Sequence, residues 1–550
     1  MAELISSKPQ PLSTADRSPV LAAIEGVLHL FQADLLRRRS VHLLLLAVLL
    51  IPCALRTYLG APIPMKRYGP DAFILLDGAW RVLNGQVPHV DFYSSFGPVM
   101  YLLVALGMKL ASTTALGLSY CQALVGVVLA FWSFRISTRR LAAVPAVLFC
   151  VFVVLLSLAP YEIGESPASL APSTTYNRYS YALLALIVLE SLCPPRTVAN
   201  GANEELAGGI STGIALGITL FLKISFFLAG VPLLAALCVC RRQERRRWIG
   251  CASGFGLLFL AVMVYLRFDV AVVWHDLRLT ASTKKIPLQR AVDVLLPTFG
   301  PMLWLIFLSF FASFVRTRGE GNTFPRHLTF AAVVVAIVNY LVILGNHQDS
   351  GLPLGVALSI ILLGVICGGR SYPKSDRNLT LYRAVLFIWS AFFFIPPIAS
   401  DLAGLGYGAI EANRYRRSSV LEFDSPRLKP MLFVGPREFG SSYVTCINEG
   451  IHMLRGQPAN ETIATLSYTN PFPYALGRTP AHGGTTYFWV DYNFSDRMRP
   501  PGELMLGDAS IVMVPKYWSD GGAVDGFGGY VKRNYNLAQE SPCWALYRRK

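Results

Sequence analysis

The chain has little charge for its size. Only 15% of its 550 residues are Asp, Glu, Lys or Arg, while 53% are hydrophobic, and mean hydropathy is +0.46. Soluble globular proteins carry roughly 25% charged residues, so this balance excludes an ordinary soluble chain and a disordered one. The ten cysteines are too sparse for a disulfide scaffold, and glycine shows no collagen-like triplet period. The composition therefore predicts a polytopic α-helical membrane protein.

Several motifs of soluble enzymes and pumps are missing. The sequence has no Walker loop, no glycine-rich dinucleotide fingerprint, no HExxH and no paired CxxC. An ATP-driven pump is therefore disfavoured. The net charge is +16. In a membrane protein, Lys and Arg gather in cytoplasmic loops and near headgroups, so this excess indicates membrane lipid as a partner and gives no support for nucleic acid.

Apolar runs of about 20 residues, the length that crosses a bilayer, recur through the first 400 positions. The run 207–240 is too long for one helix and divides at Lys223, which brings the total to eleven spans. A further run at 97–112 either crosses as a twelfth span or is re-entrant. The predicted spans lie at 41–59, 115–134, 141–160, 177–193, 207–240, 248–266, 298–315, 328–345, 352–368 and 382–399.

Loop charge predicts the orientation. Five Arg- and Lys-rich clusters fall on one side if 97–112 does not cross, and that side is cytoplasmic by the positive-inside rule. Residues 1–40 are then a cytoplasmic or interfacial segment without a cleaved signal peptide. Residues 41–400 form the membrane module, with a first outer loop at 60–96, and 401–550 lie outside the cytoplasm. A chain rich in Ala, Leu and Arg points to a bacterial inner membrane.

The region 401–550 is rich in turn residues and predicts a small α/β domain. Short apolar runs at 431–434, 462–466, 510–514 and 544–547 are typical of strands, and 442–454 of a helix. Cys446 and Cys543 are either bridged or free. Aromatic side chains of this region either form its core or bind carbohydrate through their flat faces; they are Tyr468, Phe472, Tyr474, Tyr487, Phe488, Trp489, Tyr517 and Trp518.

The first outer loop carries the strongest chemical signal. Pro70 and Asp71 are a good helix start and Asn84-Gly85 a good stop. Apolar residues between them share one helical face, so we expect an interfacial helix whose other face turns acidic residues toward water or a site. Asp71 then either complements the helix N-terminus or takes part in catalysis, and Asp77 pairs with Arg81 or faces the site.

Ionisable groups at the edges of spans form a second set of candidates. Asn177 and Arg178 lie at the start of one span, and Lys223 lies between two short helices. Such groups are costly in a membrane, so the two cations either hold the phosphate of an anionic lipid or extend toward headgroups. The polar loop 346–351, which contains His347 and Asp349, either lines a substrate pocket or is a solvated turn.

These features together resemble the C-type (GT-C) membrane glycosyltransferases, which include protein O-mannosyltransferases and aminoarabinose transferase relatives. The resemblance lies in the acidic residue at the start of the first-loop helix, the run from Asn84 to Phe92, the Gly97-Pro98 entry to the next helix and the turn around Lys223. It covers roughly residues 40 to 240, and the soluble region after the last span also fits.

The resemblance implies transfer of a sugar from a polyprenyl-phosphate donor to a glycan, lipid or protein acceptor on the extracytoplasmic face. By position, Asp71 corresponds to the family's acidic residue and becomes the candidate base, with Asp91 as second choice. Lys223 and Arg178 become candidate phosphate-binding residues, and Asn177, His347 and Asp349 candidate pocket residues. No cofactor is certain, and a divalent metal stays open. The alternatives are a transporter or flippase for a lipid-linked or anionic substrate, and a catalytically inactive assembly subunit.

Overall fold

A computed structural model describes residues 39–59, 61–196, 201–240, 244–283, 286–320, 326–346, 348–367, 377–415, 421–434, 437–495, 498–516 and 521–550. His347, Tyr517 and Trp518 lie outside the described residues. Within them the chain is mainly helical up to residue 415, and a small mixed sheet follows. The helices of the first part are, in chain order, α1 (Arg39–Tyr58), α2 (Ala72–Leu83), α3 (Pro98–Leu110), α4 (Gly117–Arg140), α5 (Ala143–Leu158), α6 (Thr175–Leu192), α7 (Gly201–Leu222), α8 (Ile224–Cys240), α9 (Arg245–Tyr265), α10 (Val270–Ser282), α11 (Leu288–Glu320), α12 (Arg326–Gly345), α13 (Pro353–Cys367) and α14 (Arg377–Tyr415).

Seven of the described helices are long and apolar enough to cross a membrane, namely α1, α4, α7, α9, α11, α12 and α14. Helices α3, α5, α8 and α13 are apolar but shorter, and α6 is buried along nearly its whole length. Each predicted span coincides with one of these helices, and the division at Lys223 is confirmed, since α7 ends one residue before it and α8 begins one residue after. The chain is an integral membrane protein of the predicted helical class.

Two helices, α3 and α14, differ in length from the membrane spans predicted from the sequence. The run 97–112 forms α3, whose 13 residues are fewer than the about 20 that a perpendicular span requires; the re-entrant path stays a prediction. Helix α14 has 39 residues and runs to Tyr415, well past the expected end of the last span near 399. Its extra turns bring Asp401 to Arg178 and Tyr161, and Tyr407 to Lys66 of the first loop.

The helix of the first loop (60–96) begins and ends as predicted, but its surroundings were predicted wrongly. A 3-10 turn, Gly69–Asp71, leads into α2, and Gly85 follows it with a φ of 86° that favours glycine. Residues 72–81 are all buried, so neither face meets water. The apolar face expected to rest on lipid packs instead against α3 and the C-terminal region, and the polar face is covered by segment 480–484.

The C-terminal region (421–550) contains the predicted small sheet and further helices. Its elements are β2 (Met431–Phe433), α15 (Arg437–Arg455), β3 (Ile463–Thr465), α16 (Phe472–Leu476), α17 (Gly502–Leu506), β4 (Ile511–Pro515), α18 (Ala523–Asn534), β5 (Tyr535–Glu540) and β6 (Trp544–Arg549). Strand order is β3-β4-β6-β5, with β3 parallel to β4 and the other pairs antiparallel. The four strands and the helix near 442–454 predicted from the sequence are confirmed.

The C-terminal region and the first loop share one core. Strand β1 (Ile63–Met65), from the first loop, pairs in parallel with β2. Apolar residues of α2, α3, α15 and the sheet belong to a single buried cluster. The Trp80 indole donates to the carbonyl of Arg478, and Cys446 is bridged to Cys543 beside the buried Trp544. These contacts fix the C-terminal region over the first loop, where the two together enclose Asp71.

Candidate active site between the first loop and the C-terminal region

Asp71 is held at the start of α2 and reaches the C-terminal region. Its side chain is half-buried, and its Oδ1 accepts a hydrogen bond of 2.9 Å from the Tyr468 hydroxyl. Burial raises the pKa of Asp71 from 3.8 to about 7, against the opposing effect of the Tyr468 hydrogen bond. A carboxylate that changes protonation near neutral pH while keeping some access to solvent is suited to general-base catalysis.

Glu162 is a second carboxylate of this site, and sequence reasoning missed it. It lies in the segment between α5 and α6, which meets loop 346–352 where Ser350 Oγ donates to the carbonyl of Gly164 at 3.2 Å. Burial, together with the negative charges of Glu165, Asp349 and Asp71, raises the pKa of Glu162 to about 7 against the opposing effect of the Lys223 ammonium. The available signal was that residues 161–176, between the predicted spans 141–160 and 177–193, contain two glutamates.

Lys223 belongs to the same site as Asp71 and Glu162, since its charge lowers the pKa of Glu162. The space around these three residues is called the cleft below. The ammonium donates to Asn177 Oδ1 at 3.0 Å and lies over the ring of Tyr176, 4.7 Å from its centroid. Tyr176 in turn packs edge-on against Phe96 of the first loop, with ring centroids 4.9 Å apart. The structure therefore brings together Lys223 and Asn177, two of the predicted site residues.

Arg178 follows Asn177, the residue bound by Lys223, but the environments of the two cations differ. It is buried, and its Nη1 donates to Asp401 Oδ1 of α14 at 2.9 Å, while its Nε donates to the carbonyl of Tyr161 at 2.7 Å. The guanidinium also lies 4.2 Å from the centroid of the Tyr161 ring. Each of these contacts joins two helices or a helix and a loop, which is the pattern of a structural ion pair.

The remaining predicted residues lie at the margin of the site. Asp91 Oδ2 accepts a hydrogen bond of 2.7 Å from the backbone N–H of Val87, in the same turn. The same oxygen lies 3.8 Å from the guanidinium of Arg267. Asp349 is 65% exposed and pairs with Arg290 at 3.0 Å. Asp77 and Arg81 form the predicted i,i+4 pair at 2.9 Å, fully buried, and Arg81 also binds the carbonyls of Ala481 and Gly483. These contacts hold turns and segments in place.

Aromatic rings form the walls of the cleft. Tyr468, Tyr487 and Tyr176 line it, and the neighbouring rings of Trp489 and Tyr492 are exposed. Of the aromatic residues predicted to be either core or binding, Phe472, Tyr474 and Phe488 are core. As for the metal left open by the sequence, the described residues contain no group of three or more His, Cys, Asp or Glu side chains that could hold one.

Comparison with known proteins gives likeness in structure alone. No family model matches the chain, and no curated protein matches it by sequence. Among solved structures it is similar to ArnT from Cupriavidus metallidurans bound to undecaprenyl phosphate, at 12% identity, over 92% of this chain and 97% of that one, with a TM-score of 0.49. For the apo state of the same ArnT the values are 12%, 96%, 98% and 0.44. The likeness concerns only the course of the chain.

Proposed function

We propose that this protein is a membrane glycosyltransferase that moves a sugar from a polyprenyl-phosphate donor to an acceptor hydroxyl on the extracytoplasmic face. The observation that carries the proposal is Asp71, a half-buried carboxylate with its pKa near 7, in a cleft that also holds Glu162 and Lys223. The proposal is supported by the contact of Asp71 with Tyr468 of the C-terminal region and by the interaction of Lys223 with Glu162.

The chemistry follows from the needs of glycosyl transfer. An acceptor hydroxyl attacks the anomeric carbon as the bond from that carbon to the phosphate oxygen breaks. The hydroxyl proton passes to Asp71, and the departing lipid phosphate keeps the electron pair of the broken bond. A positioned carboxylate serves the first need, and a cationic donor aimed at the developing phosphate charge serves the second. Lys223, oriented by Asn177 and Tyr176, is the donor that this cleft offers.

Glu162 is assigned as the second acidic residue of the site. The negative charge of Asp71 contributes to the raised pKa of Glu162, so the two carboxyl groups belong to one acidic site. Asp91, the other base considered from the sequence, is a weaker candidate because its carboxylate closes its own turn.

The test is transfer of radiolabelled sugar from a panel of synthetic polyprenyl-phosphate sugars, with purified full-length protein in lipid and crude membrane fractions as acceptor. Asp71→Asn removes charge and basicity but little volume. We expect it to lower the transfer rate by about 10² to 10⁴ while the protein stays folded. Asp91→Asn should keep most of the activity, and Asp508→Asn, at an exposed carboxylate bound to His482, serves as the control.

Two outcomes would count against Asp71 as the base, and a third would count against the transferase function. Wild-type transfer by Asp71→Asn would remove Asp71 as the base, and loss of transfer in Asp91→Asn alone would move the role to Asp91. If the folded wild-type protein gave no product from any donor in the presence of a native acceptor, the weight would shift to a transporter or to an inactive assembly subunit.

A further inference from the structure

Two exposed aromatic side chains stand at the mouth of the cleft, on one short loop of the C-terminal region. Trp489 is 46% exposed and Tyr492 36% exposed, although both are large apolar residues in a region whose other rings are mostly buried. Their ring centroids are 6.2 Å apart and their planes are inclined at 44°. The pair presents two adjoining flat faces to solvent.

The pair is directly connected to the acidic centre. The Trp489 ring packs edge-on against Tyr468, with centroids 5.1 Å apart, and the Tyr468 hydroxyl is the group that donates to Asp71. One ring thus separates the exposed indole from the proposed base.

The loop is fixed in shape, which a binding surface requires and a solvated turn does not. The buried Asn493 side chain accepts from Trp489 N at 2.8 Å and donates to the carbonyl of Tyr487 at 2.7 Å. Thr283, at the end of α10, donates to the carbonyl of Tyr492 at 2.8 Å. Asp491 has a φ of 64°, a strained conformation that persists where the surroundings enforce it. The two rings are preorganised by the backbone beneath them.

The pair and Lys223 engage different residues around Asp71. Lys223, the proposed contact of the donor phosphate, lies in the turn between α7 and α8, with its ammonium over the ring of Tyr176. Trp489 and Tyr492 belong to the C-terminal region, and Trp489 packs on Tyr468, which donates to Asp71. With the donor phosphate at Lys223, the aromatic pair remains for the substrate that brings the hydroxyl.

We propose that Trp489 and Tyr492 form a saccharide platform, and that the acceptor of this enzyme is a carbohydrate. The inference rests on the proposed transferase function and adds the chemical class of the acceptor. The C–H-rich face of a pyranose ring packs on an aromatic plane, as apolar surface does on Trp and Tyr, while its hydroxyl groups stay free to reach Asp71.

An aromatic pair can instead anchor a protein in the headgroup region of a bilayer. The neighbours of Trp489 argue against this here, because Asp491 on the same loop is exposed and a carboxylate is disfavoured near lipid.

The experiment combines binding and kinetics on the full chain in lipid nanodiscs. Saturation-transfer NMR with methyl α- and β-pyranosides of glucose, galactose and mannose measures saccharide contact without turnover. Trp489→Ala should abolish the saturation transfer, whereas Trp489→Phe, which keeps a ring, should retain most of it. Trp248→Ala is the matched control, since Trp248 is equally 46% exposed but lies on α9. Thermal unfolding verifies that each variant is folded.

In the transfer assay, Trp489→Ala should raise the apparent KM for the membrane acceptor by about tenfold and leave the KM for the polyprenyl-phosphate sugar unchanged. A folded Trp489→Ala protein with unchanged saturation transfer and acceptor KM would overturn the platform. A rise confined to the donor KM would overturn the acceptor assignment. If no transfer occurs at all, loss of saccharide contact in Trp489→Ala would still support the platform. The binding experiment therefore tests the platform independently of the proposed transferase function.

Discussion

A carboxylate that takes a proton from a hydroxyl works best when its pKa lies near the working pH. Two opposing influences set that value for Asp71. Burial destabilises the ionised form and raises the pKa to about 7, and the hydrogen bond from Tyr468 stabilises the ionised form and limits the rise. Burial also raises the pKa of Tyr468, as does the negative charge of Asp71, so the phenol remains a donor throughout the physiological range.

Tyr468 should therefore control the pH dependence of the reaction. If Asp71 must be ionised, transfer rises with pH and levels off above its pKa. Tyr468→Phe removes the hydrogen bond to the ionised form, so the pKa of Asp71 should rise and the ascending limb of kcat/KM should move up by about one pH unit. Tyr487→Phe is the control, because the Tyr487 hydroxyl bonds to Ser95. An unmoved or downward-shifted limb in Tyr468→Phe would contradict this role.

At the scale of helices and loops, the structure separates two cations that the sequence could not. Lys223 and Arg178 both lie at the edges of predicted spans and have equal claims to a phosphate. Arg178 is held by a carboxylate and two carbonyls, in bonds that join α6 to α14, to α5 and to the α5–α6 segment. The Lys223 ammonium donates to the amide oxygen of Asn177, lies over the ring of Tyr176 and lowers the pKa of Glu162, so it belongs to the acidic site itself.

Substitutions at these two positions should therefore have different effects. Lys223→Ala should weaken binding of polyprenyl phosphate with little loss of thermal stability. Arg178→Leu leaves Asp401 buried without its cation, which should lower the free energy of unfolding by about 3 to 5 kcal/mol and leave phosphate affinity per folded molecule unchanged. Lys66→Ala, at an exposed lysine of the first loop bound to Tyr407, is the control. Weaker binding of polyprenyl phosphate by a stably folded Arg178→Leu protein would instead assign phosphate binding to Arg178.

Elements with a strong local signal were predictable, and residues placed by distant contacts were not. Apolar length located the helices, and the break at Lys223 follows from a run too long for one helix. Pro70 and Gly85 mark the ends of α2 by local backbone preferences. Nothing local reveals that α2 is covered on both sides, since its cover comes from residues some 400 positions later. Glu162 was missed for the same reason, as only the folded chain brings it to Asp71 and Lys223.

On the scale of the whole molecule, the site exists only while the C-terminal region is seated on the first loop. Asp71 comes from the first loop and Tyr468 from the C-terminal region, and the parallel pairing of β1 with β2 joins the two beside a shared core. Whatever holds the C-terminal region together therefore also holds the site. The Cys446–Cys543 bridge is such a restraint, because it links α15 to the residue before β6 across 97 positions of sequence.

The bridge yields a prediction that also tests the orientation of the protein. A disulfide closing a loop of this length stabilises by about 2 to 4 kcal/mol, so the Cys446→Ala/Cys543→Ala protein should unfold at lower temperature and lose transfer activity as the C-terminal region loosens. Cys251→Ala, at a free and partly buried cysteine, is the control. Disulfides persist on the oxidising side of a membrane. Alkylation of denatured protein from unreduced membranes should accordingly gain two thiols per chain after reduction, and the double variant should gain none. Equal labelling of the wild type before and after reduction would place the C-terminal region in a reducing compartment, which would contradict catalysis on the extracytoplasmic face.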